Sequence, residues 1–261
     1  MRDTLVATTG RDLFSLSAET FLITGASSGL GVEAARALAR QGAKLVLTAR
    51  REERLEALAR ELPNAAYYAC DLSSTEEIED LWRFCDQEIG VVTGLLNNAG
   101  AAVVKQATEE SDEEYRSVLE VNLVSVFAMS KRFAKRLIDV KREGVVVNVA
   151  SVLGLLGSGQ IPLASYTSSK AGVVNLTREL AVQWAQYGIR VNAVAPGWFF
   201  SEMTESMFTD EKAQRWIAQR TPMGRAGAVG ELDGVFIFLS SKASSYVTGQ
   251  TFVVDGGWSI L

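Results

Sequence analysis

Phe21-Leu22-Ile23-Thr24-Gly25-Ala26-Ser27-Ser28-Gly29-Leu30-Gly31 runs from a short apolar stretch straight into a glycine-rich turn, and VEAARALARQG at 32–42 then continues with helical periodicity. A glycine turn between strand and helix lets the backbone come close to a phosphate, whose charge the helix N-terminal amides and dipole stabilise. The spacing is G-x-x-x-G-x-G rather than G-x-G-x-x-G. Glycines in such a turn can serve tight packing alone, but the strand before and the helix after favour a phosphate cradle built from Gly25, Ser27, Ser28, Gly29, Leu30 and Gly31.

The same alternation extends along the chain. Short β-rich runs occur at 21–24, 44–48, 66–69, 94–96, 145–149, 191–195 and 251–254. Helical patterns lie at 30–41, 52–62, 74–89, 112–140, 165–187 and 230–240. Seven strands with helices between them imply parallel βαβ units. Ser74 and Glu77 fit a capping box opening the third helix. No repeat, low-complexity tract or Pro/Ser-rich linker divides the chain, so one domain over 1–261 is expected. The least regular region, about 197–225, begins GWFFSEMTESMF and reads as a mobile lid.

Composition removes whole classes of activity. The 26 Lys and Arg against 31 Asp and Glu leave a net charge of −5, which argues against nucleic acid or an anionic membrane as partner. Histidine is absent, so imidazole bases, Ser-His-Asp and Cys-His systems and the commonest zinc ligand are all missing. No metal site is expected. Cys70 and Cys85 sit in core-type surroundings and do not make a disulfide framework. The N-terminus lacks an apolar signal region, and no run of about eighteen apolar residues occurs, so a cytoplasmic location is expected.

Candidate chemistry falls at five places along the chain. Arg50 and Arg51 follow the second strand, where an acidic residue would bind both ribose hydroxyls of NAD. Arginine there suits a 2′-phosphate, so NADP is favoured with NAD possible; the alternative is two solvated loop arginines. Asp71, followed by Leu72, either meets an adenine or begins the turn before the capping box. Tyr166 and Lys170 are four apart, on one helix face with Val173, Val174, Thr177, Ala181 and Trp184. An adjacent ammonium favours tyrosinate and would lower a phenol pKa that is ordinarily near ~10, making Tyr166 the acid/base of a histidine-free chain. The alternative is a lysine snorkelling past a half-buried tyrosine. Ser151 ends the fifth strand at the edge where open parallel sheets bind ligands; it either binds a substrate carbonyl or terminates the strand. Asn122 lies on the apolar stripe of Tyr115, Val118, Leu119, Val126, Met129 and Phe133, so its amide needs internal partners.

Together these segments resemble the short-chain dehydrogenase/reductase family, from about residue 13 to 258. The matching motifs are TGASSGLG at 24–31, DL at 71–72, NNAG at 97–100, VN at 121–122, the serine at 151, YTSSK at 166–170, PG at 196–197 and VDGG at 254–257. The resemblance implies an α/β, Rossmann-type doubly wound sheet of seven parallel strands with helices on both faces. It implies that Tyr166 is the acid/base, Lys170 its partner and ribose ligand, Ser151 the group that orients the substrate oxygen, and Asn122 the holder of a relay water. Asp71 and Leu72 would meet the adenine, Asn98, Ala99 and Gly100 the ribose side, and Pro196, Gly197, Phe199 and Ser201 the nicotinamide end. A homotetramer is also implied. Two departures are a Ser151-to-Tyr166 interval a couple of residues longer than usual, and Ser201 where the family often has Thr.

The expected reaction is interconversion of a small-molecule secondary alcohol and ketone, in the manner of 3-oxoacyl reductases. The aromatic 197–208 segment points first to an apolar ketone. Sugar or polyol dehydrogenation is the alternative, and a dinucleotide sensor without turnover is a third reading.

Overall fold

The structure is a computed structural model and describes residues 13–260. Its strands are β1 (Thr20–Thr24), β2 (Lys44–Ala49), β3 (Ala65–Ala69), β4 (Gly94–Asn97), β5 (Gly144–Val149), β6 (Ile189–Pro196) and β7 (Thr251–Val254). They form one seven-stranded sheet in the order β3-β2-β1-β4-β5-β6-β7, and every neighbouring pair is parallel. The helices are α1 (Gly29–Arg40), α2 (Glu52–Glu61), α3 (Thr75–Phe84), α4 (Asp112–Leu119), α5 (Ser125–Val140), α6 (Ala164–Trp184), α7 (Glu205–Thr209), α8 (Glu211–Arg220) and α9 (Asp233–Ser240).

Alternation along each buried strand divides the interior into two cores. Phe21, Ile23, Leu45 and Leu47 face one side of the sheet, with Leu38 of α1, Leu55 of α2 and Phe236 of α9. Leu22 and Val46 face the other, with Ile78 and Trp82 of α3, Met129 and Phe133 of α5 and Leu180 of α6. Successive strand side chains point to opposite faces, so near-continuous apolar strands require helices on both. The order in which successive strands are added reverses between β1 and β4, which puts a crevice outside their carboxyl ends.

Three local differences from the sequence expectations have physical causes. The helix expected over 112–140 is interrupted by a wide π turn at Glu120–Val124, which seats Asn122; such turns recur at functional positions because they re-aim one side chain without ending the helix. At α3, Ser74 accepts from the Glu77 N–H at 3.2 Å, but the Glu77 carboxylate accepts from the Asp71 N–H at 2.7 Å instead of completing the box. Ser111 and Glu114 form a full capping box at α4. The 197–225 region is more regular than expected, because it folds into α7 and α8. Among the described residues, no helix is long and apolar enough to cross a membrane, and no group of three or more Cys, Asp or Glu could hold a metal.

Candidate active site

The crevice is a cleft of about 440 Å³ running from Arg50 and Asp71 at one end to Ser151 and Tyr166 at the other. Gly25, Ser27, Ser28, Gly29, Leu30, Arg51, Leu72, Asn98, Ala99, Gly100, Lys170, Pro196, Gly197, Phe199 and Ser201 also line it. Gly31 and Asn122 do not. Each is a support beneath the cleft wall rather than part of it.

Gly31 is buried in the first turn of α1, where a Cβ would lie 2.3 Å from the Gly25 carbonyl oxygen and 2.6 Å from Asn98 Nδ2. The NNAG segment is stitched to the glycine turn at this point. Thr24 Oγ1 accepts from the Asn98 and Ala99 N–H groups at 2.9 and 3.0 Å, and Asn98 Nδ2 donates to the Thr24 and Gly25 carbonyls at 3.1 and 3.2 Å. Gly31→Ala should therefore lower the melting temperature by several degrees and weaken dinucleotide affinity at least about tenfold, since a backbone oxygen cannot move aside without pulling the loop. Calorimetric melting and binding titration check this, and an unchanged affinity would contradict it.

The donor set of the turn suits an anion. Ser28, the residue preceding α1, has an extended backbone but its side chain does not cap the helix, and no acidic residue occupies the first turn. The helix end thus keeps its positive potential for a ligand. Arg51 Nε donates to Ser27 Oγ at 3.1 Å, and its Nη2 to Ser28 Oγ at 2.8 Å. Arg50 makes no hydrogen bond or ion pair among the described residues. Asp71 lines the cleft and accepts from the Ser73 N–H at 2.9 Å, so it starts the turn before α3 while facing the cleft. The Ser73 backbone bond is the main cause holding its carboxyl below the ordinary range.

At the other end, α6 carries Tyr166 and Lys170 one turn apart. Lys170 is only 4% exposed; its Nζ donates to the Val149 carbonyl at 2.8 Å and lies 5.6 Å from the centre of the Tyr166 ring. Burial pushes the Tyr166 phenol above its ordinary value, while the Ser151 hydroxyl acts in the opposite direction. Burial also holds Lys170 down to about 8. The lowering of the phenol expected from spacing alone is thus reversed: the ammonium sits over the ring face and bonds Val149, and desolvation outweighs its attraction for a tyrosinate. Ser151 Oγ accepts from the Leu153 N–H at 3.1 Å, leaving its hydroxyl hydrogen to find another acceptor.

Asn122 clamps α5 to the cleft. Its Oδ1 accepts from the Ala101 N–H at 2.7 Å, and its Nδ2 donates to the Ala101 carbonyl at 2.9 Å and to Ser169 Oγ at 3.0 Å. A Cβ on Gly100 would come 3.4 Å from Asn122 Oδ1 and 3.6 Å from Lys170 Nζ, so the bare glycine leaves a gap between the two. A second buried chain was not apparent from sequence: Asn97 donates to Asn148 Oδ1 at 2.9 Å, and Asn148 to Thr177 Oγ1 at 3.0 Å. Asparagines inside apolar strands were the available signal.

The aromatic segment behaves differently from the apolar lid expected. Trp198 and Phe199 are each 8% exposed and turn inward. Trp198 packs edge-on against Trp216 of α8 and Trp258, with ring centres 5.6 and 6.0 Å apart, and Phe199 joins the core beside α9. Phe200 points outward and meets Phe208 at 5.6 Å. Consecutive aromatics cannot share a face, and here the buried ones serve the domain interior. Cleft residues that sequence reasoning missed include Glu202, Met203 and Thr204.

Comparison with known proteins agrees with this geometry. The sequence profile of the family described as Enoyl-(Acyl carrier protein) reductase matches residues 25–259. Gluconate 5-dehydrogenase of Gluconobacter oxydans is 38% identical over 253 residues, 95% of this chain and 98% of its own length. 5-Keto-D-gluconate 5-reductase of Escherichia coli is 36% identical over 250 residues, 94% of this chain and 97% of its own. The crystal structure of a gluconate 5-dehydrogenase from Burkholderia cenocepacia, in complex with NADP and tartrate, superposes with a TM-score of 0.92 at 33% identity, covering 97% of this chain and all 100% of that one. With the glycine turn, the half-buried Tyr166 beside the buried Lys170 and the order of the strands, these similarities make the chain a member of the short-chain dehydrogenase/reductase family.

Proposed function

We propose that the protein is an NADP(H)-dependent oxidoreductase that interconverts a secondary alcohol and a ketone on a polyhydroxylated acid of the gluconate type. The observation that carries the reaction is the placement of Tyr166, Lys170 and Ser151 at the carboxyl edge of the sheet, continuous with the cleft that opens at the glycine turn. The substrate class rests on the relatives, whose names are those of gluconate and ketogluconate enzymes. They replace the apolar 3-oxoacyl ketone as the first reading. The inward turn of Trp198 agrees, because it takes that ring out of the cleft lining and into the interior.

Gly25 to Leu30 and the uncapped end of α1 would hold the dinucleotide phosphates, Arg50 and Arg51 the 2′-phosphate, and Lys170 the second ribose. When bound, the dinucleotide supplies or accepts the hydride. The chain's own work is the proton. In reduction, the Ser151 and Tyr166 hydroxyls hold the ketone oxygen, and the phenol gives that oxygen its proton as the carbon gains hydride. The Lys170 ammonium, backed by Val149, stabilises the phenolate left behind. Oxidation reverses each transfer, with the phenolate as base. Asn122 positions this edge through Ala101 and Ser169, and one Oδ1 lone pair remains for a relay water. Exposed Phe127, Val140 and Val182, on α5 and α6, support the homotetramer expected from the resemblance.

A substrate panel tests the reading. With NADPH, ketogluconates should give kcat/KM at least about tenfold above that for 3-oxoacyl thioesters, because a site that hydrogen-bonds substrate hydroxyls discriminates strongly against compounds lacking them. The reverse order would restore the apolar reading.

A further inference from the structure

The arginine that faces the ribose end of the cleft is already engaged from across it. Arg51 Nη1 donates to both carboxylate oxygens of Glu202, at 2.8 and 3.1 Å. Arg54, one turn along α2, donates to the same carboxylate. Glu202 lies on the segment after β6, beside Ser201, and its bonds to both arginines tie that segment to the first turn of α2 at the side of the cleft. Through Ser27 and Ser28, the same guanidinium rests on the glycine turn.

We propose that Glu202 is a specificity-determining residue for the dinucleotide: its carboxylate occupies Arg51 in place of a 2′-phosphate and is displaced when a phosphorylated ribose binds. The proposal rests on the NADP reading. Three observations support the exchange. The contacts join residues on two sides of the cleft, so a ligand group that takes Arg51 must compete with Glu202. The side chains of Glu202, Arg51 and Arg54 are 46%, 42% and 52% exposed, and ion pairs this solvated contribute little to holding the fold, which leaves them free to exchange partners. Finally, one carboxylate faces two paired arginines with Arg50 beside them, a surplus of positive charge that a phosphate dianion satisfies better than a carboxylate. Hydrogen bonds from Arg54 and Arg51 hold the Glu202 carboxyl down to about 2, so the competitor stays charged at every working pH.

NAD lacks the group that must displace Glu202, so removing the carboxylate affects the two dinucleotides differently. Titration calorimetry would measure NADP⁺, NAD⁺ and adenosine 2′,5′-bisphosphate binding to the wild type, Glu202→Gln, Arg51→Ala and the double variant. Glu202→Gln should tighten NADP⁺ and the bisphosphate by about three- to tenfold and change NAD⁺ by less than about twofold. Arg51→Ala should weaken NADP⁺, and adding Glu202→Gln to it should give no further change, because the group being competed for is gone. Weaker NADP⁺ binding in Glu202→Gln, or an equal change for both dinucleotides, would overturn the proposal and make Glu202 a general clamp. A wild type that binds NAD⁺ as tightly as NADP⁺ would instead defeat the NADP reading beneath it.

Discussion

Tyr166→Phe should lower kcat for ketone reduction by about a hundred- to ten-thousand-fold, the range over which positioned general acids act, while the Kd for NADPH stays within about twofold. The ring is half-buried among Val152, Leu153, Trp198, Ile217 and Trp258, so phenylalanine keeps the packing and loses only the hydroxyl. No other side chain on this edge can take over the proton: the chain has no histidine, the Ser151 hydroxyl is a far weaker acid, and Lys170 is bonded to Val149. Single-turnover kinetics with preloaded cofactor separate the chemical step from binding. Turnover within a few-fold of wild type would remove Tyr166 from the mechanism.

Lys170→Met should reduce kcat/KM by about a hundredfold or more, and unlike Tyr166→Phe it should also weaken the dinucleotide, since the ammonium serves both phenol and ribose. The change leaves the Val149 carbonyl without its donor, at a cost of about 1–3 kcal/mol for an unpaired buried acceptor, so a lower melting temperature should accompany the kinetic loss. The pH profile isolates the charge. Burial places the folded Lys170 near 8, below its ordinary 10.5, so the cation is present below about pH 8 and lost above it. In the wild type, kcat/KM for reduction should fall as pH rises through that value; in Lys170→Met the limb should vanish. Stability runs the other way. Between about 8 and 10.5 the unfolded chain holds this proton more tightly than the folded one, so the lysine's contribution to folding improves as pH rises across the window in which activity declines. An alkaline limb that survives in the variant would assign it to another group.

The parts of this protein that were legible in its sequence are those in which one residue type has one physical use. All seven strands were found to within a few residues, because apolar β-branched runs bounded by glycine and helical stretches have few other readings. Tyr166, Lys170 and Ser151 lie together at the sheet edge where strand ends and helix spacing place them. What was missed depends on partners far along the chain. The break at Glu120–Val124 is invisible in a stripe of apolar residues that continues through it. The direction of the Tyr166 shift depends on how deeply the ring is buried, which the four-residue spacing to Lys170 does not encode. The aromatic segment at 197–208 reads as an apolar lid because the partners that draw Trp198 and Phe199 inward, Trp216 and the α9 core, lie beyond the local pattern. Glu202 looked like one more surface acid until Arg51 and Arg54, about 150 positions upstream, were set beside it.

The tryptophan triad has an optical consequence. Three of the five tryptophans, Trp198, Trp216 and Trp258, meet at the root of the 197–225 segment, and their indole N–H groups are buried without partners. The other two, Trp82 and Trp184, belong to the core on the far side of the sheet. Any movement of α8 away from the C-terminal turn must separate these rings and hydrate their N–H groups, which shifts indole emission to longer wavelength. The molecule therefore carries its own unlabelled reporter of that movement, readable in milliseconds and set against two tryptophans that stay constant.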